Sequence, residues 1–350
     1  MNCLPTTSSN ASGSADSGLH VTDAYMHIGV PRFGSPDHLL RALDTYRISQ
    51  AVVVLGPLVP DLPSLFEAMR RYPGRVRGIG IPFGADAAQR LELARMEVKA
   101  GVLGMRLSYE EGLETPGMLE LLGDNGRCIY ALNPVGSARS AESYLEWLSR
   151  YPDSFIAAPH FLKHGFGWEQ RQQLDSSCIA LMRHPRFYAI LSRQGGNGTN
   201  QPYPHADYVT WVEFVLLHCG WERILWGSEF PVFLWRNETY AQCLSWLARL
   251  LPETSPAQLQ AFHAGNAKRL LFNKQTVPPG THAAIPEWLE EQFSMVRNRT
   301  VPLIQNTALE LPGDLYFMLL DGYMQSEMEG QERTFNDYLT SVLYDILNKR

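Results

Sequence analysis

His27 closes an apolar run, two residues after Tyr25 and four after Asp23, in the stretch TDAYMHIG. On a strand, residues i and i+2 project from one face, so Tyr25 and His27 share a side. Two imidazoles so placed would grip one metal ion; here a phenol stands in the first position. Other chemically able side chains also recur at the ends of apolar runs: Arg106 and Ser108, Asn133, His160 with His164 four residues on, Ser192 and Arg193, and Ser228 and Glu229 in ILWGSEFP. A carboxylate beside two imidazoles can hold a divalent metal or act as a general base on water. A guanidinium pairs bidentately with a carboxylate, so Arg106 implies an anionic substrate. Each residue also has a plainer reading. Glu229 could cap a helix, Arg106 could pair with a neighbouring acid, and His164 could face solvent.

The elements that must position these residues follow from the hydrophobic pattern. Eight short apolar runs begin with HVTDAYM, QAVVVLG, VRGIGIPFG and GVLGMRLS and continue with CIYALNPV, SFIAAPHF, FYAILSR and RILWGSEFP. Most are apolar throughout, as strands buried on both faces are. Amphipathic stretches separate them, with Thr115 and Ser255 read as N-caps. Eight strands each followed by a helix predict an α/β chain folded as a (β/α)8 TIM-type barrel, whose active site lies at the C-terminal strand ends. That is where the polar residues fall. An open doubly wound sheet is the competing arrangement, but no Gly-rich nucleotide fingerprint follows any strand.

The barrel is expected over residues 19–273, after a Ser-, Gly- and Asn-rich tail at 1–18 read as disordered. The stretch 274–286 carries the prolines and glycine of a linker, and 287–350 reads as an acidic helical extension. The last segment, TFNDYLTSVLYDILNKR, places Phe335, Tyr338, Leu339, Val342, Leu343, Ile346 and Leu347 on one apolar stripe. The stripe is expected to be buried against the barrel, against the helix around 314–324, or against a second subunit in a homo-oligomer.

A formal net charge of -6 with no basic run argues against nucleic-acid binding. No segment approaches a membrane span, and the N-terminus lacks a secretory pattern, so a cytoplasmic protein is expected. The five cysteines, Cys3, Cys128, Cys178, Cys219 and Cys243, are widely spaced and odd in number, and are read as buried free thiols. His184, His218 and His263 fall on helices as packing or surface residues. Asn266 is read as a helix cap, the loop 193–205 as pocket wall or lid, and Trp226 and Phe230 as barrel filling or substrate contacts.

Taken in order, DAYMHIG, GMRLS, APHFLKHG, AILSRQGG, ERILWGSEFP and GNAKRLL resemble the successive motifs of the amidohydrolase-related family in the amidohydrolase superfamily. The resemblance runs from about residue 20 to 273, and within the family it is closest to the dicarboxypyrone and sugar lactonases. Four departures stand out. Tyr25 replaces the first histidine, Glu229 the usual aspartate and Pro159 the aspartate before His160, and Arg193 lies displaced from the usual lysine. The resemblance implies a hydrolase that opens a lactone or related cyclic carbonyl. Glu229 would activate water, His160 and His27 would polarise the carbonyl, and Arg106, Tyr25, His164, Ser192 and Ser228 would contact an anionic small-molecule substrate. It leaves open one divalent metal, zinc or manganese, on His27, His160 and Glu229, or none. It also leaves open a metal-dependent decarboxylase, a specialised biosynthetic enzyme and a catalytically retired binding or scaffold protein.

Overall fold

The computed structural model describes residues 20–30, 32–56, 61–163, 174–199, 201–236, 238–274, 286–290, 301–302, 310–311 and 313–348. The expected tail at 1–18, residues 275–285 of the expected linker and His164 lie outside the described residues.

Eight parallel strands run in sequence order around one sheet: β1 Val21–Ile28, β2 Ile48–Leu55, β3 Val76–Gly80, β4 Gly104–Ser108, β5 Cys128–Leu132, β6 Ile156–Ala158, β7 Phe187–Leu191 and β8 Ile224–Trp226. Helices alternate with them: α1 Pro36–Thr45, α2 Leu62–Arg71, α3 Ala87–Lys99, α4 Tyr109–Glu114, α5 Met118–Asp124, α6 Ala138–Arg150, α7 Ser176–Arg183 and α8 Val209–Cys219. This is the (β/α)8 barrel that the apolar runs predict. Residues at alternate strand positions, among them Val52, Val54, Tyr130, Ile190 and Leu225, fill the interior. Their neighbours Ala51, Val53, Ile129, Ala189 and Ile224 pack outward against the helices. Both faces are therefore dry, which is why the strands read as unbroken apolar runs.

The seam of the barrel is made beyond the end of β8. The His27 amide donates to the Phe230 carbonyl at 2.8 Å, and the Glu229 amide to the Tyr25 carbonyl at 2.8 Å. Asp23 braces the same seam, its Oδ1 accepting from the Tyr25 amide at 2.9 Å and the Ser228 amide at 3.1 Å. The register of β1 against β2 shifts between Asp23 and Met26, so a bulge sits beside the mouth.

Several local expectations change. Thr115 ends α4 instead of starting α5, whose N-cap is Gly117 with φ 87°, a left-handed value that glycine takes freely. Ser108 ends β4 as expected and also caps α4, forming a capping box with Glu111. Asn266 follows the helical turn Ala261–Gly265 as its C-cap residue, but its side chain bonds elsewhere. Its Nδ2 donates to the carbonyls of Trp221 and Ile224 and ties the following helix to the base of β8. Ser255 does cap its helix, α10 Pro256–Gln260, which follows α9 Tyr240–Leu250. Cys128, Cys178, Cys219 and Cys243 are buried and free, as expected.

Past the barrel, β9 Val301–Pro302 pairs antiparallel with β10 Glu310–Leu311, followed by α11 Gly313–Met328 and α12 Phe335–Asn348. α11 lies on α1. Its Asp321 pairs with His38 at 2.8 Å and with Arg41 at 2.7 Å, and Tyr46 donates to Glu327 at 3.0 Å. Phe335 and Leu339 of α12 are buried, the Phe335 ring against Tyr316 and Tyr323. Tyr338 packs on Tyr323 of α11, while Leu343, Ile346 and Leu347 are at least half exposed in the single chain. No helix among the described residues is long and apolar enough to cross a membrane.

Candidate active site

His27 and Arg106 lie within β1 and β4, whereas His160, Ser192, Arg193 and Glu229 follow the ends of β6, β7 and β8. His160, Arg193 and Glu229 have φ of 56°, 62° and 58°. Left-handed backbone costs a non-glycine residue about 1–2 kcal/mol, and such strain collects at functional sites. Here it accompanies the inward turn of three polar side chains.

Glu229 is at the centre and fully buried. Arg193 holds it through Nε, 2.9 and 3.1 Å from the two carboxylate oxygens, and through Nη2, 2.8 Å from Oε1. Arg236 donates from Nη1 to Oε2 at 3.2 Å and from Nε to Glu238 at 2.8 Å. Burial alone would raise the carboxyl's pKa. The surrounding His160, His27, Arg236 and Arg193 outweigh burial and hold it well below the ordinary carboxylate range. Two guanidiniums within hydrogen-bond distance act in that direction whatever the charge on the imidazoles.

Both imidazoles turn Nε2 toward the same carboxylate oxygen. His160 Nε2 is 3.7 Å from Glu229 Oε1 and His27 Nε2 is 4.0 Å from it. These separations are too long for a direct hydrogen bond and short enough for one water to touch both groups. Burial lowers both histidine pKa values, that of His160 strongly, so both rings are neutral at neutral pH. Their partners then assign the tautomers. His27 Nδ1 lies 3.0 Å from the Val54 carbonyl, which can only accept, so the proton is on Nδ1 and Nε2 carries a lone pair. Ser192 Oγ accepts from the His160 amide and lies 3.1 Å from His160 Nδ1. Ser192 can donate its hydroxyl proton to Nδ1, an arrangement that puts the proton of His160 on Nε2. In that arrangement one imidazole accepts toward the centre and the other donates.

Tyr25 is buried beside both rings, its centroid 5.2 Å from that of His27 and 4.9 Å from that of His160. Its hydroxyl accepts from Arg106 Nε at 3.0 Å. Burial raises its pKa, so the phenol stays protonated. Arg106 has no carboxylate within ion-pair distance among the described residues, so the plainer reading of it as one half of a salt bridge finds no partner there. Ser228 Oγ accepts from the Phe230 amide at 2.9 Å and shapes the turn that presents Glu229. Thus His27, His160, Glu229, Arg106, Tyr25, Ser192 and Ser228 come together as a group. Four residues near the mouth carried no clear mark in the sequence. Arg236 lies in the loop after β8, Arg32 and Phe33 in the loop after β1, and Trp235 beside Arg236. Arg193 was noted there, but not as the partner of Glu229.

The family model for amidohydrolases matches residues 30–272. The chain belongs to the amidohydrolase family. No curated protein matches it. Among solved structures, this amidohydrolase resembles a probable 2-pyrone-4,6-dicarboxylic acid hydrolase from Acinetobacter baumannii with citric acid bound, at TM-score 0.56 and 14% identity over 72% of this chain and 99% of that one. It also resembles an amidohydrolase from Burkholderia multivorans with bound zinc, at TM-score 0.53 and 14% identity over 71% and 98% of the two chains. A third is 2,6-dihydroxybenzoate decarboxylase complexed with 2,6-dihydroxybenzoate, at TM-score 0.51 and 13% identity over 72% and 98%. At these identities the likeness establishes the barrel and not the reaction.

In this amidohydrolase the donors suit a metal poorly. Among the described residues no three His, Cys, Asp or Glu side chains are disposed to hold one. Both oxygens of Glu229 are committed to guanidiniums, so a cation bound there would lie beside two positive charges. Tyr25, kept protonated, supplies no anionic ligand. The residues present do not fit a zinc or manganese ion on His27, His160 and Glu229.

Proposed function

We propose that this amidohydrolase is a hydrolase that opens a lactone or related cyclic carbonyl substrate bearing an anionic group. The reading rests on one observation: two buried imidazoles turn Nε2 toward a single buried carboxylate oxygen. A water donating one proton to His27 Nε2 and the other to Glu229 Oε1 has its lone pairs free for a carbonyl carbon. Glu229, flattened as a base by two guanidiniums, serves to orient that water and to balance charge. His27 Nε2 is the better proton acceptor, so the accepting role passes from Glu229 to His27. As the water oxygen bonds to carbon, His27 becomes an imidazolium stabilised by the adjacent carboxylate. The oxyanion receives a hydrogen bond from His160 Nε2–H. Collapse of the tetrahedral centre breaks the ring C–O bond, and the imidazolium returns its proton to the leaving oxygen. Arg106, with no acid at ion-pair distance among the described residues, holds the anionic group.

The test is a panel of carboxylated lactones with wild type, Glu229→Gln and His27→Gln. Both variants are expected to keep the wild-type circular dichroism spectrum and to lose at least ~100-fold in kcat/KM. Full activity in Glu229→Gln would remove the assignment. Carbon dioxide release from a carboxylated substrate, with no ring opening, would replace the hydrolase with a decarboxylase.

A further inference from the structure

Arg32 lies in the loop between β1 and α1, exposed and without a carboxylate at ion-pair distance among the described residues. Its guanidinium carbon stands 4.9 Å from the ring centre of Trp235 and 5.3 Å from that of Phe33. The two rings stack with centroids 5.7 Å apart, and Phe33 in turn stacks on His27 at 4.6 Å. Arg32 therefore stands one aromatic ring away from the imidazole at the centre of the site. A guanidinium resting on ring faces keeps its N–H edge free, which one locked into a carboxylate fork does not.

The shelf under Arg32 is anchored from outside the barrel. Trp235 Nε1 donates to the hydroxyl of Tyr316, a fully buried residue of α11. Tyr316 is packed by Phe317 and Phe335. Gly56 gives the Phe33 ring its seat, since a Cβ there would fall 2.1 Å from the ring. The family match ends at residue 272, so α11 is an addition to the barrel that reaches into its mouth.

We propose that Arg32 is a second anion-binding residue of the active site, and that α11 completes the site by fixing, through Tyr316 and Trp235, the aromatic shelf that carries it. Its ligand is a carboxylate- or phosphate-sized group on the substrate, remote from the reacting carbonyl and distinct from the group on Arg106. Burial lowers the Arg32 pKa and the Arg193 charge adds to this, against the opposite pull of Tyr316 and Glu229. The proposal rests on the reading that the substrate is anionic, but not on the hydrolytic step.

The experiment is isothermal titration at low ionic strength with citrate as a multivalent carboxylate probe and acetate as a monovalent one. The proteins are wild type, Arg32→Met and Tyr316→Phe, each checked by thermal unfolding. Arg32→Met is expected to weaken citrate binding about tenfold and to leave acetate binding unchanged. Tyr316→Phe is expected to weaken citrate binding in the same direction and to shift tryptophan emission. Unchanged citrate affinity in Arg32→Met, or no citrate binding by wild type, overturns the anion site. Unchanged citrate affinity in a folded Tyr316→Phe overturns the role of α11. Because no readout involves turnover, failure here is separable from failure of the hydrolase reading.

Discussion

The different roles proposed for the two histidines follow from the different partners that their Nδ1 atoms meet. Val54 offers His27 only a carbonyl, whereas Ser192 offers His160 a hydroxyl that can donate. The proposed chemistry needs His27 neutral, and burial lowers its pKa from the ordinary 6.5. Protonation at acid pH removes the lone pair that takes the proton from water. A profile of kcat/KM against pH should therefore rise from the acid side with an apparent pKa below 6.5 and level off around neutrality. A profile that continued to climb well above pH 7 would assign the proton acceptor to another group. The sequence made His27, His160, Glu229 and Arg106 visible, because each is a polar residue ending an apolar run. It did not show that Arg193 and Arg236 would hold Glu229. Arg193 reaches the carboxylate from a left-handed backbone position, and Arg236 comes from the loop after β8, so neither follows from strand periodicity.

At the scale of elements, the seam between β1 and β8 governs the site. Asp23 supports it while buried, and burial raises its carboxyl pKa to about 7 against the pull of its Ser228 and backbone hydrogen bonds. The folded state therefore binds more protons at this residue than the unfolded state between pH 3.8 and about 7. Its stabilising contribution is full below that window and falls as pH rises through it. Asp23→Asn keeps an acceptor for both amides and cannot titrate. The urea-unfolding stability of wild type minus that of Asp23→Asn should thus be larger at pH 5.5 than at pH 8. Asp23→Ala leaves two buried amides without an acceptor and should cost about 1–3 kcal/mol at pH 5.5 and less at pH 8. The strand count and order were legible because strands buried on both faces leave unmistakable apolar runs. Their ends were less so: the runs SFIAAPHF and RILWGSEFP continue past β6 and β8 into the loops that carry His160 and Glu229. Thr115 and Asn266 misled for a related reason, since a capping residue type does not reveal which helix, or which distant carbonyl, it serves.

At the scale of the whole molecule, the helices past the barrel are tied to its first helix by contacts between residues far apart in the chain, which no local pattern discloses. His38 is almost fully buried, and Asp321 is its partner. Burial tends to raise the Asp321 pKa, but His38 and Arg41 prevail and lower it, so this link weakens as pH falls through the ordinary carboxylate range. Asp321→Ala strands His38 and should cost about 1–3 kcal/mol. Amide exchange in α11 should quicken in that variant while exchange in β2 and β5 stays slow; uniform quickening would mean that α11 and the barrel unfold as one unit. The seam has a further consequence, in time instead of energy. Asp23 and Ser228 are 205 positions apart, and the Glu229–Tyr25 and His27–Phe230 bonds span nearly as far. During translation the first imidazole emerges long before the carboxylate it must face, and Tyr316 emerges later still. A nascent chain halted inside β7 would hold His27, Arg106 and His160 but no Glu229. The growing chain would therefore carry no working site before its last barrel strand is out, and the shelf under Arg32 would follow only with α11.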